Sequence, residues 1–277
     1  MFIGNAYTYT LLVIGKPLSS IKAEMSGLLE EMKVHGQDRS VVIQRVFVEA
    51  IAILSEGTKD DRYDRFMHDE GILGGGGVDT RDALFWMKFL RLVLSLIFQD
   101  VPASIRASAS CDAHAAVGGV HALRMLYLRS LAALSCCRGQ LPDGSSRRRR
   151  RRTVLRGVRR RLKELRRHAP SALHFLLGKL YLLEAEMAAW RGDPRRASML
   201  YMSAVSVSAR QGDLLDEALA TERAANFYLG RGEMQQAQNY LGDAIKLYER
   251  WGAIPKVTML KDQVQTLQSL VIREETS

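Results

Sequence analysis

Two segments decide the fold of this chain: 192-GDPRRASMLYMSAVSVSARQ-211 and 232-GEMQQAQNYLGDAIKLYERW-251. They begin 40 positions apart, and when they are aligned their small residues coincide. Each has two alanines seven positions apart, with a bulky residue four positions after the first alanine. The matching pairs are Ala197 and Ala237, Ala204 and Ala244, Tyr201 and Leu241, and Arg210 and Arg250.

The aligned segments predict a repeated helical hairpin. Gly212 and Gly252 follow the first helix of each unit, where the backbone needs a left-handed residue. The spacing is similar to that of tetratricopeptide repeats, although their usual period is about 34 residues, so the helices here would be longer. Such hairpins bury their faces by stacking on neighbours. We therefore predict an all-α fold of tetratricopeptide-like stacked helical hairpins, an α-solenoid; a generic antiparallel bundle with chance alanine matches is the alternative.

Helical periodicity dominates the rest of the chain as well. The start of one predicted helix, Ser40–Ile43, is β-branched and would also suit a strand, but the length of the segment favours a helix. Loops are predicted over Ser55–Thr80, which contains four consecutive glycines, and at His168–Ser171, while Ala103–Ala116 is read as a helix or a loop. Helices are predicted over Pro17–Met32, Ser40–Leu54, Arg81–Phe98, Val120–Cys137, Ala172–Arg191, Pro194–Gln211, Leu214–Arg231, Glu233–Arg250 and Pro255–Ile272.

These patterns divide the chain into three parts. Residues 1–140 form an N-terminal helical part with the loop near 55–80. Residues 141–168 hold a linker and an arginine-rich segment, and residues 169–277 hold the tetratricopeptide-like repeats. Pro142, Gly144 and the paired serines before Arg147 are the linker signal.

The net charge of +10 is concentrated in one segment. Between Arg147 and Arg167 there are 13 basic residues and a single acidic one, Glu164. Arginine forks pair well with phosphates, so the segment could bind nucleic acid or an anionic surface. We favour the alternative, a solvated low-complexity insertion, because blocks of like charge are generally disordered. A basic helix through Arg167 is predicted to follow the run. The candidate anion contacts are Arg147, Arg148, Arg149, Arg150, Arg151, Arg152, Arg159, Arg160 and Arg161.

The composition, 47% apolar and 25% charged, is that of a soluble globular protein. Three cysteines are too few for a disulfide framework, so we expect reduced thiols and a cytoplasmic location. A signal peptide would have basic residues near its N-terminus, but no basic residue precedes Lys16, so we expect no signal peptide. The most apolar stretch, Ala83–Phe98, is interrupted by two basic residues and is shorter than a spanning helix, so we expect a core helix and no membrane span.

No motif for catalysis, a cofactor or a metal is found in the sequence. Gly74–Gly77 lacks the lysine of a nucleotide-binding phosphate loop. The histidines are scattered and do not show zinc-ligand spacing. Acidic residues such as Asp213 and Asp216 fall at a predicted helix start, where capping explains them better than acid–base chemistry. We therefore expect no cofactor, no metal and no enzymatic activity.

The C-terminal third carries a distinctive set of motifs. It includes Leu183-Glu184-Ala185-Glu186, Asp216-Glu217-Ala218-Leu219-Ala220, Phe227-Tyr228-Leu229, Tyr240-Leu241 and Trp251-Gly252-Ala253. With these motifs the chain resembles the tetratricopeptide-like helical region of large signalling ATPases, strongly from Leu183 and loosely upstream. In that family the region follows a protein-kinase-like domain and an AAA-type ATPase domain, and often precedes GAF, histidine-kinase or nucleotide-cyclase domains.

The resemblance implies architecture and context rather than activity, because the family's catalytic domains and motifs are not among these 277 residues. It implies a non-catalytic interaction or signal-relay module, as a fragment or derivative, whose partners are proteins or neighbouring signalling domains. Two alternatives stay open: nucleic-acid or anionic-surface binding through the arginine-rich segment, and an enzyme fragment whose site the sequence does not reveal.

Overall fold

The computed structural model describes residues 3–56, 61–73, 80–111, 120–135 and 145–275. These residues form twelve α-helices and one 3-10 turn (Gly71–Leu73), with no strand among them, so the predicted all-α class is confirmed. The helices are α1 (Ile3–Val13), α2 (Leu18–Val34), α3 (Asp38–Glu56), α4 (Arg62–His68), α5 (Arg81–Ile97), α6 (Val101–Ser110), α7 (Val120–Ser135), α8 (Ser145–Arg191), α9 (Pro194–Gln211), α10 (Leu214–Leu229), α11 (Met234–Trp251) and α12 (Ile254–Glu275).

The N-terminal half contains two helices that the sequence patterns did not predict, α1 and α4. Helix α4 lies inside the predicted loop and is held by Phe66 and Met67, which are buried. Its turn also accepts a hydrogen bond from Arg91 Nε to the Phe66 carbonyl, 2.7 Å long. The four-glycine run that suggested the loop lies outside the described residues. The β-branched start at Ser40 belongs to α3, as length predicted.

The turns of the 40-residue units are alike in backbone conformation. Gly192 and Gly232 have φ angles of 78° and 74°, and Gly212 and Gly252 have φ angles of 69° and 90°. A side chain is strained in this left-handed region, and Gly212 and Gly252 end α9 and α11 as expected. Asp213 caps α10 by accepting a hydrogen bond from the Asp216 amide, which confirms the expected capping role.

The small residues of the two units occupy equivalent buried positions. Ala197, Ala204, Ala237 and Ala244 are all fully buried, and so are Tyr201 and Leu241. Their burial follows from helix contacts in sequence order: α9 packs on α8 and α10, and α11 packs on α10 and α12. A small residue at the contact lets two helices approach closely, while the bulky residue one turn later fills the space beside it.

Helix α10 lies at the centre of the molecule. It contacts α8, α9, α11 and the N-terminal α1, and most of its side chains are buried. One hydrophobic core therefore continues from Tyr9 to Leu260. Helix α5 is buried in this core through residues such as Phe89 and Leu92. Within the described ranges, no helix is both long and apolar enough to cross a membrane.

Helix α8 is helical along its backbone from Ser145 to Arg191, but it is not straight. Arg166 Nη2 donates to Glu184 Oε1 at 2.6 Å, although the two residues are 18 positions apart. In a straight helix they would be separated by about 27 Å, more than the two side chains can span. The chain therefore folds back on itself and forms a first arm (145–168) and a second arm (174–191).

Pro170 lies between the two arms. Proline has no amide hydrogen and its ring clashes with the preceding turn, so it is a usual cause of sharp helix kinks. The predicted loop at His168–Ser171 is wrong because the backbone stays helical there, yet the chain changes direction at this place. The predicted linker before Arg147 lies mostly outside the described residues, and Ser145 already begins α8.

Candidate functional site

The arginine-rich segment is a helix because it also carries an apolar face. Val158, Leu162 and Leu165 recur at helical spacing and are buried, and Val154 and Leu155 pack against the same core. The basic helix predicted after the arginine run is therefore present, whereas the solvated insertion favoured for the run itself is wrong for the described residues from 145 onward. Burial of one face stabilises the arm, while the exposed side chains of Arg149, Arg152, Arg159 and Arg160 remain hydrated.

The structure places the predicted anion contacts along this first arm. Arg149, Arg152, Arg159 and Arg160 are exposed. Four others, Arg147, Arg148, Arg150 and Arg151, lie on the α8 backbone, but their side chains are outside the described set. The exposed members are distributed around the helix, so they do not all converge on one point.

Arg161 differs from its neighbours because it is half-buried. Its Nε donates to Ser130 Oγ of α7 at 3.1 Å. Burial, together with the nearby charge of Arg129, lowers the pKa of Arg161 to about 10. The group remains charged at neutral pH, but it joins α7 to α8 and has fewer donors left for a ligand.

A groove forms where the two arms of α8 meet the start of α9. It has a volume of about 270 Å³. Its floor is apolar, and its polar side chains come from three stretches that the fold-back brings together. The floor is Leu162, Met187 and Ala188, and the polar side chains are Arg159, Arg166, Glu184, Arg191 and Arg196. We call this the arginine groove.

The arginine groove is strongly positive. Arg166 forms the ion pair with Glu184. The other three arginines, Arg159, Arg191 and Arg196, are exposed and have no carboxylate partner within the described part of the chain. Guanidinium groups converging on a concave surface produce a positive potential that attracts anions. None of the described lining residues is aromatic, so stacking of nucleotide bases has no support there.

A buried ionic cluster fixes the second arm of α8 relative to α7 and α10. Arg124 of α7 reaches both Asp213, at 3.4 Å, and Asp216, at 3.2 Å. Lys179 of the second arm lies 2.9 Å from Asp213 and 2.6 Å from Asp216. We call Arg124, Lys179, Asp213 and Asp216 the ionic cluster; two cations balance two carboxylates there, as a buried group of charges requires.

The surroundings of the ionic cluster shift its ionisation. Burial by itself would raise the pKa of Asp216, but the charges of Arg124 and Lys179 hold it well below its usual value. In the other direction, burial would lower the pKa of Arg124, but the two carboxylates raise it above its usual value. Asp216 and Arg124 are therefore both held in their charged forms at neutral pH, and the ionic cluster fixes α7, α8 and α10 relative to one another.

A second set of buried polar contacts extends along α10. Glu222 accepts hydrogen bonds from Lys256 Nζ at 2.5 Å and from Tyr248 Oη at 2.9 Å. The next residue, Arg223, donates to Glu186 Oε1 at 3.3 Å and to Ser135 Oγ at 2.8 Å. Burial lowers the pKa of Lys256, an effect that Glu222 opposes. Helix α10 thus joins α7, α8, α11 and α12 through charged side chains.

Within the described ranges, no group of three His, Cys, Asp or Glu side chains is arranged to hold a metal ion. Comparison with known proteins gives no match: no family model, no curated protein and no solved structure is significantly similar to this chain.

Sequence reasoning identified only part of the arginine groove. It selected Arg159 but not Arg191 or Arg196. These two arginines flank the glycine turn after α8 and lie outside the basic run in the sequence. Their convergence with Arg159 depends on the fold-back of α8, which no local pattern reveals. The available signal was the pair of apolar stripes on both sides of Pro170, Val158-Leu162-Leu165 before it and Leu176-Leu180-Leu183 after it, which indicates two packed helices.

Proposed function

We propose that this protein is a non-catalytic, tetratricopeptide-like helical-repeat module that binds a protein partner through the arginine groove. The observation that supports this proposal most directly is the groove itself, where Arg159, Arg191 and Arg196 come together from separate stretches and have no carboxylate partner among the described residues. A repeat stack is a suitable scaffold because its consecutive helices present extended concave surfaces.

The repeat interpretation rests on matched positions in two units. The four glycines at the unit turns share one backbone conformation. The four alanines at the helix contacts are fully buried. Adjacent helices contact each other in chain order from α7 to α12. These three correspondences favour stacked hairpins over a bundle with chance alanine matches.

The partner surface that suits the arginine groove is an acidic polypeptide segment. Carboxylates of Asp and Glu form paired hydrogen bonds with guanidinium forks. The side chains of Leu162, Met187 and Ala188 line the groove but are almost fully buried, so the exposed arginines supply most of the surface that a partner can contact. A role as signal-relay segment of a signalling ATPase, in which the acidic segment belongs to a neighbouring domain, accords with the resemblance described above.

The test is fluorescence anisotropy with a labelled peptide rich in Glu and Asp, titrated with the 277-residue chain. The variant replaces Arg159, Arg166, Arg191 and Arg196 by Gln. The control replaces four exposed arginines elsewhere, Arg45, Arg65, Arg106 and Arg210, by Gln, so both variants lose the same charge. We expect the acidic peptide to bind the wild-type chain and the control variant, and not to bind the groove variant. Equal loss in both variants would show general charge attraction, and ATP hydrolysis by the pure chain would contradict a non-catalytic role.

A second candidate function is binding of nucleic acid or an anionic surface through the first arm of α8. The observation in its favour is that Arg149, Arg152 and Arg160 are exposed on this arm outside the groove. Phosphate contacts make binding strongly salt-dependent. Filter binding of RNA at low and moderate salt, with these arginines replaced by Gln, tests the idea; a signal that is absent or insensitive to salt removes it.

A further inference from the structure

A second pocket shares no lining residue with the arginine groove. It has a volume of about 320 Å³, which is at the lower end of the range for small-molecule sites, roughly 300–1,000 Å³. Helices α5, α6, α7 and α10 surround it. We call it the polar pocket; Glu222 and Arg223, adjacent in sequence and both more than nine-tenths buried, contribute opposite charges to its wall.

The residues that line the polar pocket differ in whether they can still donate or accept hydrogen bonds. On the α5–α6 side, the hydroxyls of Ser95 and Ser104 donate to the carbonyls of Leu92 and Val101. A hydroxyl whose hydrogen is already used in one hydrogen bond can only accept further hydrogen bonds. Gln99 uses its amide nitrogen on Glu222, so its oxygen also remains an acceptor. This end of the polar pocket therefore requires a ligand group that donates hydrogen bonds.

Arg223 lines the same pocket from a different helix, α10. A guanidinium has five N–H donors, and Arg223 uses one on Glu186 and one on Ser135. The remaining donors belong to a buried, positively charged group that borders open space. A carboxylate is the group that pairs best with such a fork.

The backbone at Gln99 supports a binding role for this wall. Gln99 has φ of 57° and is the single non-glycine residue with a left-handed backbone among the described residues. Such conformations are strained and are concentrated at ligand sites. Here the conformation turns the chain between α5 and α6 and brings the Gln99 amide to Glu222. Asn226, one turn after Glu222 and half-buried, adds a side-chain amide whose donors and acceptor contact no other described side chain.

We propose that the polar pocket binds a small zwitterion of the amino-acid class. The ammonium group of the ligand lies against Ser95, Ser104 and the Gln99 oxygen, and its carboxylate pairs with Arg223. The charged residues of the wall are already paired within the protein: Lys256 neutralises Glu222, and Glu186 neutralises Arg223. The pocket is thus electrically balanced, and a ligand without net charge enters it at the lowest desolvation cost.

The test is isothermal titration calorimetry of the 277-residue chain with each proteinogenic amino acid at millimolar concentration. For any amino acid that binds, the amide analogue without the carboxylate is titrated next. We expect the amide to bind about tenfold more weakly, the loss that follows from one charge-assisted hydrogen bond. Glycerol serves as the neutral polyol comparison, and we expect no binding.

Variants locate the site. Asn226→Leu blocks the polar pocket without removing a network contact, and Asn239→Leu is its matched control on the exposed face of α11. We expect binding to be lost in N226L and kept in N239L, with equal melting temperatures confirming that both variants fold. The proposal is overturned if no amino acid binds, if glycerol binds as well, if the amide equals the acid, or if N226L binds as wild type does. None of these outcomes depends on the arginine groove, so the two proposals fail separately.

Discussion

Lys179 Nζ lies 2.6 Å from Asp216 Oδ2, and each side chain is only 2% exposed to solvent. The contact joins the second arm of α8 to the start of α10, and Arg124 joins α7 to the same carboxylate. Charges so deeply buried are expensive to separate, because each has given up its hydration for its partners. The ionic cluster therefore determines how three helices are placed at the centre of the molecule.

Removing one cation from the ionic cluster is expected to destabilise the protein strongly. Lys179→Met keeps the length of the side chain but leaves two carboxylates with only Arg124. We expect the free energy of unfolding, measured by urea denaturation, to fall by about 3–5 kcal/mol. Lys246→Met removes an exposed lysine that is paired with Asp243 and should change it by less than about 0.5 kcal/mol. Equal effects of the two variants would show that the buried contacts contribute little.

The low pKa of Asp216 predicts a loss of stability in acid. A carboxyl group whose pKa is depressed in the folded state stabilises the protein above its unfolded pKa, and this contribution is lost as the pH falls through lower values. We therefore expect the stability of wild type to fall below about pH 4, the usual pKa of aspartate. Burial and the charge of Asp216 raise the pKa of Asp213. Asp213 therefore makes the protein less stable as the pH rises above the usual pKa of aspartate.

Urea denaturation over a pH series separates these contributions. Asp216→Asn should lose less stability than wild type between about pH 4 and pH 2.5, because it has no carboxylate left to protonate at this position. Asp243→Asn, at an exposed site, should follow the wild-type curve. Parallel curves for wild type and D216N would mean that Asp216 is not held ionised by its neighbours.

The repeat interpretation predicts equal sensitivity at matched alanines. Ala204 and Ala244 are fully buried at helix contacts, so Leu at either position overpacks the contact and should cost about 1–3 kcal/mol. Ala209→Leu, on the exposed side of α9, should be nearly neutral. Thermal denaturation measures all three. A tolerated Leu at only one of the two matched positions would argue that the units are not equivalent.

The sequence predicted the helices better than their arrangement. The glycine and alanine spacing predicted the positions of α9 and α11, because local periodicity and left-handed turns depend on neighbouring residues only. Helix α4 was missed because its stabilising contact, between Arg91 and the Phe66 carbonyl, comes from another helix. The arginine run was read as a solvated insertion because charge repulsion was weighed without the apolar face that continues from Val154 to Leu165 along the same helix.

The candidate sites were harder to predict than the helices, for the same physical reason. The arginine groove needs Arg159 and Arg191 to meet, and this depends on the reversal of α8. The polar pocket needs Ser104 of α6 and Arg223 of α10, which are far apart in the chain, to line the same cavity. Asp213 was predicted as a helix cap and is one, but its second role, as a partner of Arg124 and Lys179, required tertiary structure.

The fold-back of α8 is the feature on which the arginine groove depends, and a distance measurement tests it directly. In a background with Cys111, Cys136 and Cys137 replaced by Ser, spin labels are attached at Arg159→Cys and Arg191→Cys and their separation is measured by double electron–electron resonance. A control pair at Arg149→Cys and Arg160→Cys, on one arm, should read about 17 Å in either case. We expect the 159–191 distance to be less than half of the roughly 48 Å that a straight helix imposes. A distance near that straight-helix value would contradict the fold-back and the groove with it.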